Sequence, residues 1–175
     1  MDPEPLSIYF LLISIEPVLG LKIILLAFLL VCSALISGAE VAFFSLTPSL
    51  IEEQKEKYPK QTTRIESLLK KPKRLLATIL VANNFINIGI VLLFASLGDL
   101  LFGGISNDFV KLLIEIGLIT FVILLFGEIL PKIYANKNSM VFSRAMSGVI
   151  YRLDLNLLFF VTIPMSKITL FLEGK

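Results

Sequence analysis

At 175 residues, 56% of them hydrophobic and only 17% charged, with a mean hydropathy of +0.87, the chain has the composition of an integral membrane protein, which excludes an ordinary soluble domain. A net charge of +2 without a basic, aromatic-interleaved face excludes nucleic acid as a partner, and the absence of histidine removes imidazole both as a general base and as a metal ligand. The single Cys32 lies in an apolar run and allows neither an intrachain disulfide nor a thiolate cluster, so oxygen is the remaining metal-binding vocabulary.

Taken in chain order, the start Met1-Asp2-Pro3-Glu4-Pro5 has no basic region and no small-residue cleavage site, and does not read as a cleaved signal peptide. Residues 6–19 are apolar but interrupted by Glu16 and Pro17, so residues 1–20 are expected to form an outer segment or a helix extension. The first secure span is residues 21–44, long enough for a hydrocarbon core of about 30 Å. Its second half holds Ser33, Ser37, Gly38 and Glu40, a polar face that belongs against protein or a cavity rather than lipid.

Residues 47–74 carry eight of the sixteen basic residues, namely Lys55, Lys57, Lys60, Arg64, Lys70, Lys71, Lys73 and Arg74. The positive-inside rule makes this loop cytoplasmic and the N-terminus external. Thr47 before Pro48, Ser49 with Glu52, and Thr63 with Glu66 are helix-start signals, with a break at Tyr58-Pro59 between them. They predict two short helices at the cytoplasmic surface. A second span covers residues 75–97 and carries Asn83, Asn84 and Asn87. The loop 98–110 has Asp99 and Asp108 and no basic residue, as an outer loop should. The third span, residues 112–130, returns to the cytoplasm, where Lys132, Lys137, Arg144 and Arg152 follow. In residues 137–175, the segments 140–151 and 155–172 read as helices lying along the membrane surface, with a fourth span over 155–172 as the alternative. The chain stops at Leu172-Glu173-Gly174-Lys175 without a terminal cap, as one domain of a longer protein would.

The residues that carry chemistry lie in the spans. Gly127-Glu128-Ile129-Leu130-Pro131-Lys132 closes the third. A carboxylate at that depth costs about 3 kcal/mol on insertion scales unless it pairs, binds an ion or meets water. Pro131 lacks a backbone donor, so carbonyls near Gly127 are freed and the helix is expected to break there. Ser33 and Ser37 stack one turn apart, as do Asn83 and Asn87. Together with Glu128 and the backbone carbonyls around Ser37-Gly38 and Gly127 they supply enough hard oxygen for a six-ligand cation site. Each piece also has a plainer role. Ser33 can bond the carbonyl one turn back, and Asn83 and Asn87 can be interhelical glue. Asn84 points to another face, Gly89 and Gly117 allow close helix contact, and Glu115 is an interfacial charge. Glu40 either lines an inner vestibule or pairs with Lys132.

These motifs, Ser33-x-x-x-Ser37-Gly38-x-Glu40, Asn83-x-x-x-Asn87 and Gly127-Glu128-Ile129-x-Pro131-Lys132, resemble in order and spacing the transmembrane domain of the cyclin-M/CorC magnesium transporters. The resemblance covers about residues 20–170. The Ser-Gly-Ala-Glu form and the Met-Asp-Pro-Glu start are similar to the bacterial branch and to gliding-motility-associated homologues of Bacteroidetes. The resemblance implies an all-α membrane protein in the bacterial inner membrane: a homodimer with three transmembrane helices per chain (residues 21–136) and a juxtamembrane helical belt (137–175) on the cytoplasmic side. It implies Mg²⁺ as the transported ion, Na⁺ as a coupling ion, and cytosolic cystathionine-β-synthase-like domains outside this chain. Carried over by position, the metal ligands are Ser33, Ser37, Asn83, Asn87, the Gly127 carbonyl and Glu128. Ala82 departs from the Gly that many members have before the first Asn.

The expected function is therefore Mg²⁺ export from the cytoplasm, through rearrangement of helices broken at Ser37-Gly38 and Gly127-Pro131. The alternative is a membrane scaffold or sensor, linked to motility or regulation, in which a cation is structural. No enzyme is expected: an intramembrane serine protease built on Ser37-Gly38 lacks its base, since histidine is absent and Lys132 lies at the membrane edge.

Overall fold

The computed structural model describes the backbone of residues 5–173 and the side chains of residues 17–156, apart from residue 99. Every described element is a helix: α1 Pro5–Phe44, α2 Pro48–Lys55, α3 Pro59–Leu69, α4 Pro72–Ala95, α5 Gly98–Phe102, α6 Asp108–Val122, a π-helical segment Ile123–Ile129, α7 Leu130–Lys137 and α8 Ser139–Glu173. Among the described residues three stretches are long and apolar enough to cross a bilayer, Pro17–Phe44, Pro72–Ala95 and Asp108–Lys137. The protein is thus an all-α membrane protein with three such helices per chain.

Local chemistry explains most of the boundaries. Thr47 caps α2 by accepting from the Leu50 amide at 3.4 Å, and Pro48 occupies the first turn, where its missing N–H costs nothing. Proline opens α3 and α4 in the same way, at Pro59 and Pro72. The expected start at Thr63 is displaced. Thr63 lies inside α3 with its hydroxyl bonded back to the Pro59 carbonyl at 2.8 Å, because Pro59 had already set the first turn. Ser49 likewise sits inside α2, bonded to Thr47. Asn107 caps α6 by accepting from the amides of Phe109 and Val110. Segments 140–151 and 155–172, expected as separate pieces, are one continuous helix, α8. Whether 155–172 lies along the membrane or crosses it turns on side chains outside the described residues.

Two apolar clusters hold the helices together. The inner one joins Ile36, Ala39 and Phe43 of α1 to Ile65 and Leu68 of α3, Leu75 and Ile79 of α4, and Met146 and Ile150 of α8. The outer one joins Ile90 and Phe94 of α4 to Ile119 of α6 and Ile123 of the π segment, with Leu26, Leu29 and Leu30 of α1 packed against it. Between helices in lipid no hydrophobic driving force operates, so close packing matters most, and the fully buried Ala39 and Ala42 let backbones approach. Gly38 does the same: a Cβ there would lie 2.7 Å from Cζ of Phe142 and 3.4 Å from Cβ of Ala135. Gly89 faces Leu29, whereas a Cβ at Gly117 would meet nothing within 4 Å, so the close contact expected at Gly117 is not made among the described residues. Large apolar side chains such as Ile24, Phe28, Phe85, Leu92 and Phe121 are exposed, as lipid-facing residues are.

Candidate functional site

Between the two apolar clusters lies a polar layer. α1 carries Ser33 and Ser37 between Leu30 and Ala39, α4 carries Asn83 and Asn87 between Ala82 and Ile90, and the third span carries Gly127 and Glu128 past Ile123. Periodicity alone aligns each pair on its helix, and the packing of the two clusters brings the three helices to a common depth.

The hydrogen bonds run through all three spans. The Ser33 hydroxyl donates to Oδ1 of Asn87 at 2.7 Å and reaches Oδ1 of Asn83 at 3.3 Å. The amide nitrogens of Asn87 and Asn83 then donate to Oε1 of Glu128 at 3.2 and 3.5 Å. Ser33 is fully buried and Glu128 half-buried. Gly127 is pressed against Ser33: a Cβ at this glycine would lie 2.9 Å from the Ser33 oxygen, so any larger residue would force the Ser33 hydroxyl to shift. Ser37, one turn along α1, is 1% exposed, and its hydroxyl has no hydrogen-bond partner among the described residues. An orphaned buried hydroxyl facing a polar layer is a candidate ligand position.

Five of the six expected ligands, Ser33, Asn83, Asn87, Gly127 and Glu128, are in one connected group, and Ser37 is beside it on the same helix face. Asn84 is exposed, on another face. Glu40 is paired with Lys132, Nζ to Oε2 at 3.1 Å.

The expectation of broken helices is corrected. α1 runs unbroken through Ser37-Gly38, so its carbonyls there belong to the helical ladder, and Gly38 serves packing against Phe142. The third span is widened rather than broken. From Ile123 to Ile129 it is π-helical, and the Leu130 amide donates to the Leu125 carbonyl five residues back. Pro131 follows and has no N–H to give, so it leaves a carbonyl near Gly127 without its ladder donor, in either α or π register.

Among the described residues no group of three His, Cys, Asp or Glu side chains gathers as a metal cluster. The layer offers one carboxylate among neutral oxygens. That donor set is hard and suits Mg²⁺ or Ca²⁺ rather than a thiophilic metal. In the arrangement seen, the two amide N–H groups stand where a cation would neutralise Glu128. A cation would replace them and use the Asn oxygens instead. Asp154 is a further buried carboxylate, which sequence reasoning passes over. It accepts from Arg74 Nε at 2.8 Å and Thr78 Oγ1 at 3.1 Å and pairs with Arg74 Nη2 at 2.7 Å, tying the first turns of α4 to α8. The signal that marks it is the same as for Glu128, a lone acid in an apolar helix.

Fold and site together define an α-helical membrane protein with a single-carboxylate polar site where three long apolar helices meet. The chain belongs to the cyclin M family: the family described as "Cyclin M transmembrane N-terminal domain" matches residues 24–174. It is 33% identical over 154 residues to a UPF0053 protein of Haemophilus influenzae, a match covering 86% of this chain and 32% of the relative. With the UPF0053 inner membrane protein YfjD of Escherichia coli it shares 34% identity over 103 residues, 59% of this chain and 23% of the relative. With the metal transporter cnnm-2 of Caenorhabditis elegans it shares 31% identity over 153 residues, 82% of this chain and 18% of the relative. The chain spans a third or less of the length of these relatives.

Proposed function

We propose that this domain transports a divalent cation, exporting Mg²⁺ from the cytoplasm through a dehydrated site formed by Ser33, Ser37, Asn83, Asn87, the Gly127 carbonyl and Glu128. The observation that carries the reading is Glu128, a lone carboxylate on a π-helical segment, hydrogen-bonded from the second span by Asn83 and Asn87. Family membership and the metal-transporter relative support the same direction. Cytoplasmic Mg²⁺ enters from the α2–α3 side, exchanges its water shell for these oxygens, and leaves outward as the π segment rearranges. Shedding that shell is slow, which suits a carrier rather than a channel. Na⁺ entering down its own gradient drives the export. The basic α2–α3 loop faces the cytoplasm of the inner membrane, the N-terminus faces outward, and two chains assemble as a homodimer, with the cystathionine-β-synthase-like domains of the longer protein attached beyond α8.

Calorimetry on detergent-purified protein, with Ca²⁺ and Na⁺ as competitors, tests the site. Saturable Mg²⁺ binding that disappears in Glu128→Ala is the expected result, and undiminished binding by that variant places the ion elsewhere. A scaffold or sensor with a structural cation draws support from the Arg74–Asp154 clamp, which joins the site helix α4 to α8. Glu128→Gln separates the readings, since a carrier loses Mg²⁺ flux in proteoliposomes and retains its assembly.

A further inference from the structure

Ser33, Ser37 and Glu40 are spaced by four and three residues and share one face of α1. Glu128 and Lys132 are one turn apart on the third span. On both helices the Glu40–Lys132 ion pair therefore lies about a turn beyond the site residues, towards the end that carries α2 and α3. The pair is a partly solvated contact, 3.1 Å long, with side chains 34% and 37% exposed. Beside it opens a pocket of about 400 Å³ lined by Glu40, Val41, Phe44, Ser45 and Leu76. Glu40 borders this pocket, and one turn further along the same face of α1 lies the buried Ser37, whose hydroxyl has no hydrogen-bond partner among the described residues.

Building on the transport reading above, we propose that Glu40 is the capturing carboxylate at the mouth of the site and that Lys132 is its tethered counter-ion, displaced when a divalent cation arrives. A lysine ammonium is a compact point charge on a flexible stem, well suited to occupy a carboxylate and to swing away from it. At equal distance a divalent cation gains twice the Coulomb energy of the ammonium it replaces, whereas Na⁺ or K⁺ gains no more than the ammonium itself. The pair thus discriminates divalent from monovalent cations before any ion reaches the dehydrated layer. Lys132 also keeps Glu40 from standing uncompensated at the membrane edge when no cation is near.

The test is Mg²⁺ flux in proteoliposomes bearing this chain, followed with an entrapped Mg²⁺-sensitive dye, with Mg²⁺ supplied on the α2–α3 side. Lys132→Gln is expected to lower the half-saturating Mg²⁺ concentration by about two- to fivefold, the range that a partly exposed ion pair supports, and to strengthen competition by Na⁺ and K⁺. Glu40→Gln is expected to raise it by a similar factor, and the double variant to match Glu40→Gln alone. A pair that only braces the fold would shift both single variants in the same direction with a lower Tm, and that result overturns the proposal. So does a Lys132→Gln effect that survives in the Glu40→Gln background. Lys132→Arg preserves the cation and the fold and should stay at or above the wild-type concentration; a fall overturns the idea equally. Glu128→Gln distinguishes failure of the transport reading itself. If flux persists without Glu128, the capture step is decided by calorimetric Mg²⁺ affinity of Lys132→Gln against wild type, where tighter binding supports it and unchanged binding ends it.

Discussion

At Gly127 a single methyl group separates a working contact from a clash. A Cβ there would stand 2.9 Å from the Ser33 oxygen, which is itself fully buried and bonded to Asn87. Gly127→Ala is expected to cost about 1–3 kcal/mol, as overpacking does, and to abolish saturable Mg²⁺ binding. A thermal melt beside calorimetry checks both. The residue types of the polar layer were legible in the sequence, because a lone carboxylate and paired amides have no cheap place in an apolar helix. Their bonding was not. That the Asn amides accept at oxygen from the Ser33 hydroxyl and donate their N–H groups to Glu128 follows only from three helices meeting at one depth. Glu40 stood between two roles until its distance to Lys132 was known.

Among the elements, the π segment carries the most consequence. Its wider register, closed by the Leu130 amide on the Leu125 carbonyl, places Gly127 and Glu128 on the face that meets α1 and α4, and Pro131 keeps the next ladder bond from forming. Pro131→Ala restores a donor. Hydrogen exchange by mass spectrometry should then show greater protection around residues 127–131, and Mg²⁺ affinity should fall about fivefold, roughly the worth of one backbone hydrogen bond. The sequence marks a disturbance at this place through Gly and Pro, which by themselves do not choose between a break and a π turn; in the structure the π turn starts at Ile123, which packs in the outer cluster. The α2–α3 pair makes a separate, pH-dependent point. The Lys55 ammonium is raised above its ordinary pKa by its hydrogen bond to Glu52, then by the charges of Glu52 and Glu66. A raised lysine contributes its stabilisation in full below the ordinary lysine value of about 10.4, and loses it as pH climbs through the raised one. The contribution is small because the lysine is solvated. Melting of the wild type should fall more steeply above that pH than melting of Lys55→Gln.

Across the whole molecule, two apolar clusters clamp a polar layer, and α8 braces the assembly from the side. The brace is Asp154, 7% exposed, held by Arg74 and Thr78 at the first turns of α4. A second link is Arg144, which stacks 3.8 Å from the Tyr58 ring and donates to Gln54 at 3.3 Å, fastening α8 to the α2–α3 corner. Removing one partner of a largely buried pair leaves the other unpaired. Asp154→Asn is therefore expected to lower stability by about 3 kcal/mol, and, since Asn83 and Asn87 ride on the same α4, to weaken Mg²⁺ binding as well. Denaturation and calorimetry on one preparation read both effects. A fall in stability with Mg²⁺ affinity intact would show that the brace does not set the position of α4.

The sequence by itself determined the class, the three spans and the list of oxygen-bearing residues, because hydropathy, helical period and the cost of a charge in lipid are local properties of the chain. Only the tertiary structure decided that α1 passes straight through Ser37-Gly38, that the third span widens instead of breaking, and that Asp154 locks α8 to α4. Each of these depends on contacts between residues far apart in sequence: Gly38 with Phe142, Ile123 with the outer cluster, and Arg74 with Asp154. Local propensity cannot specify such contacts.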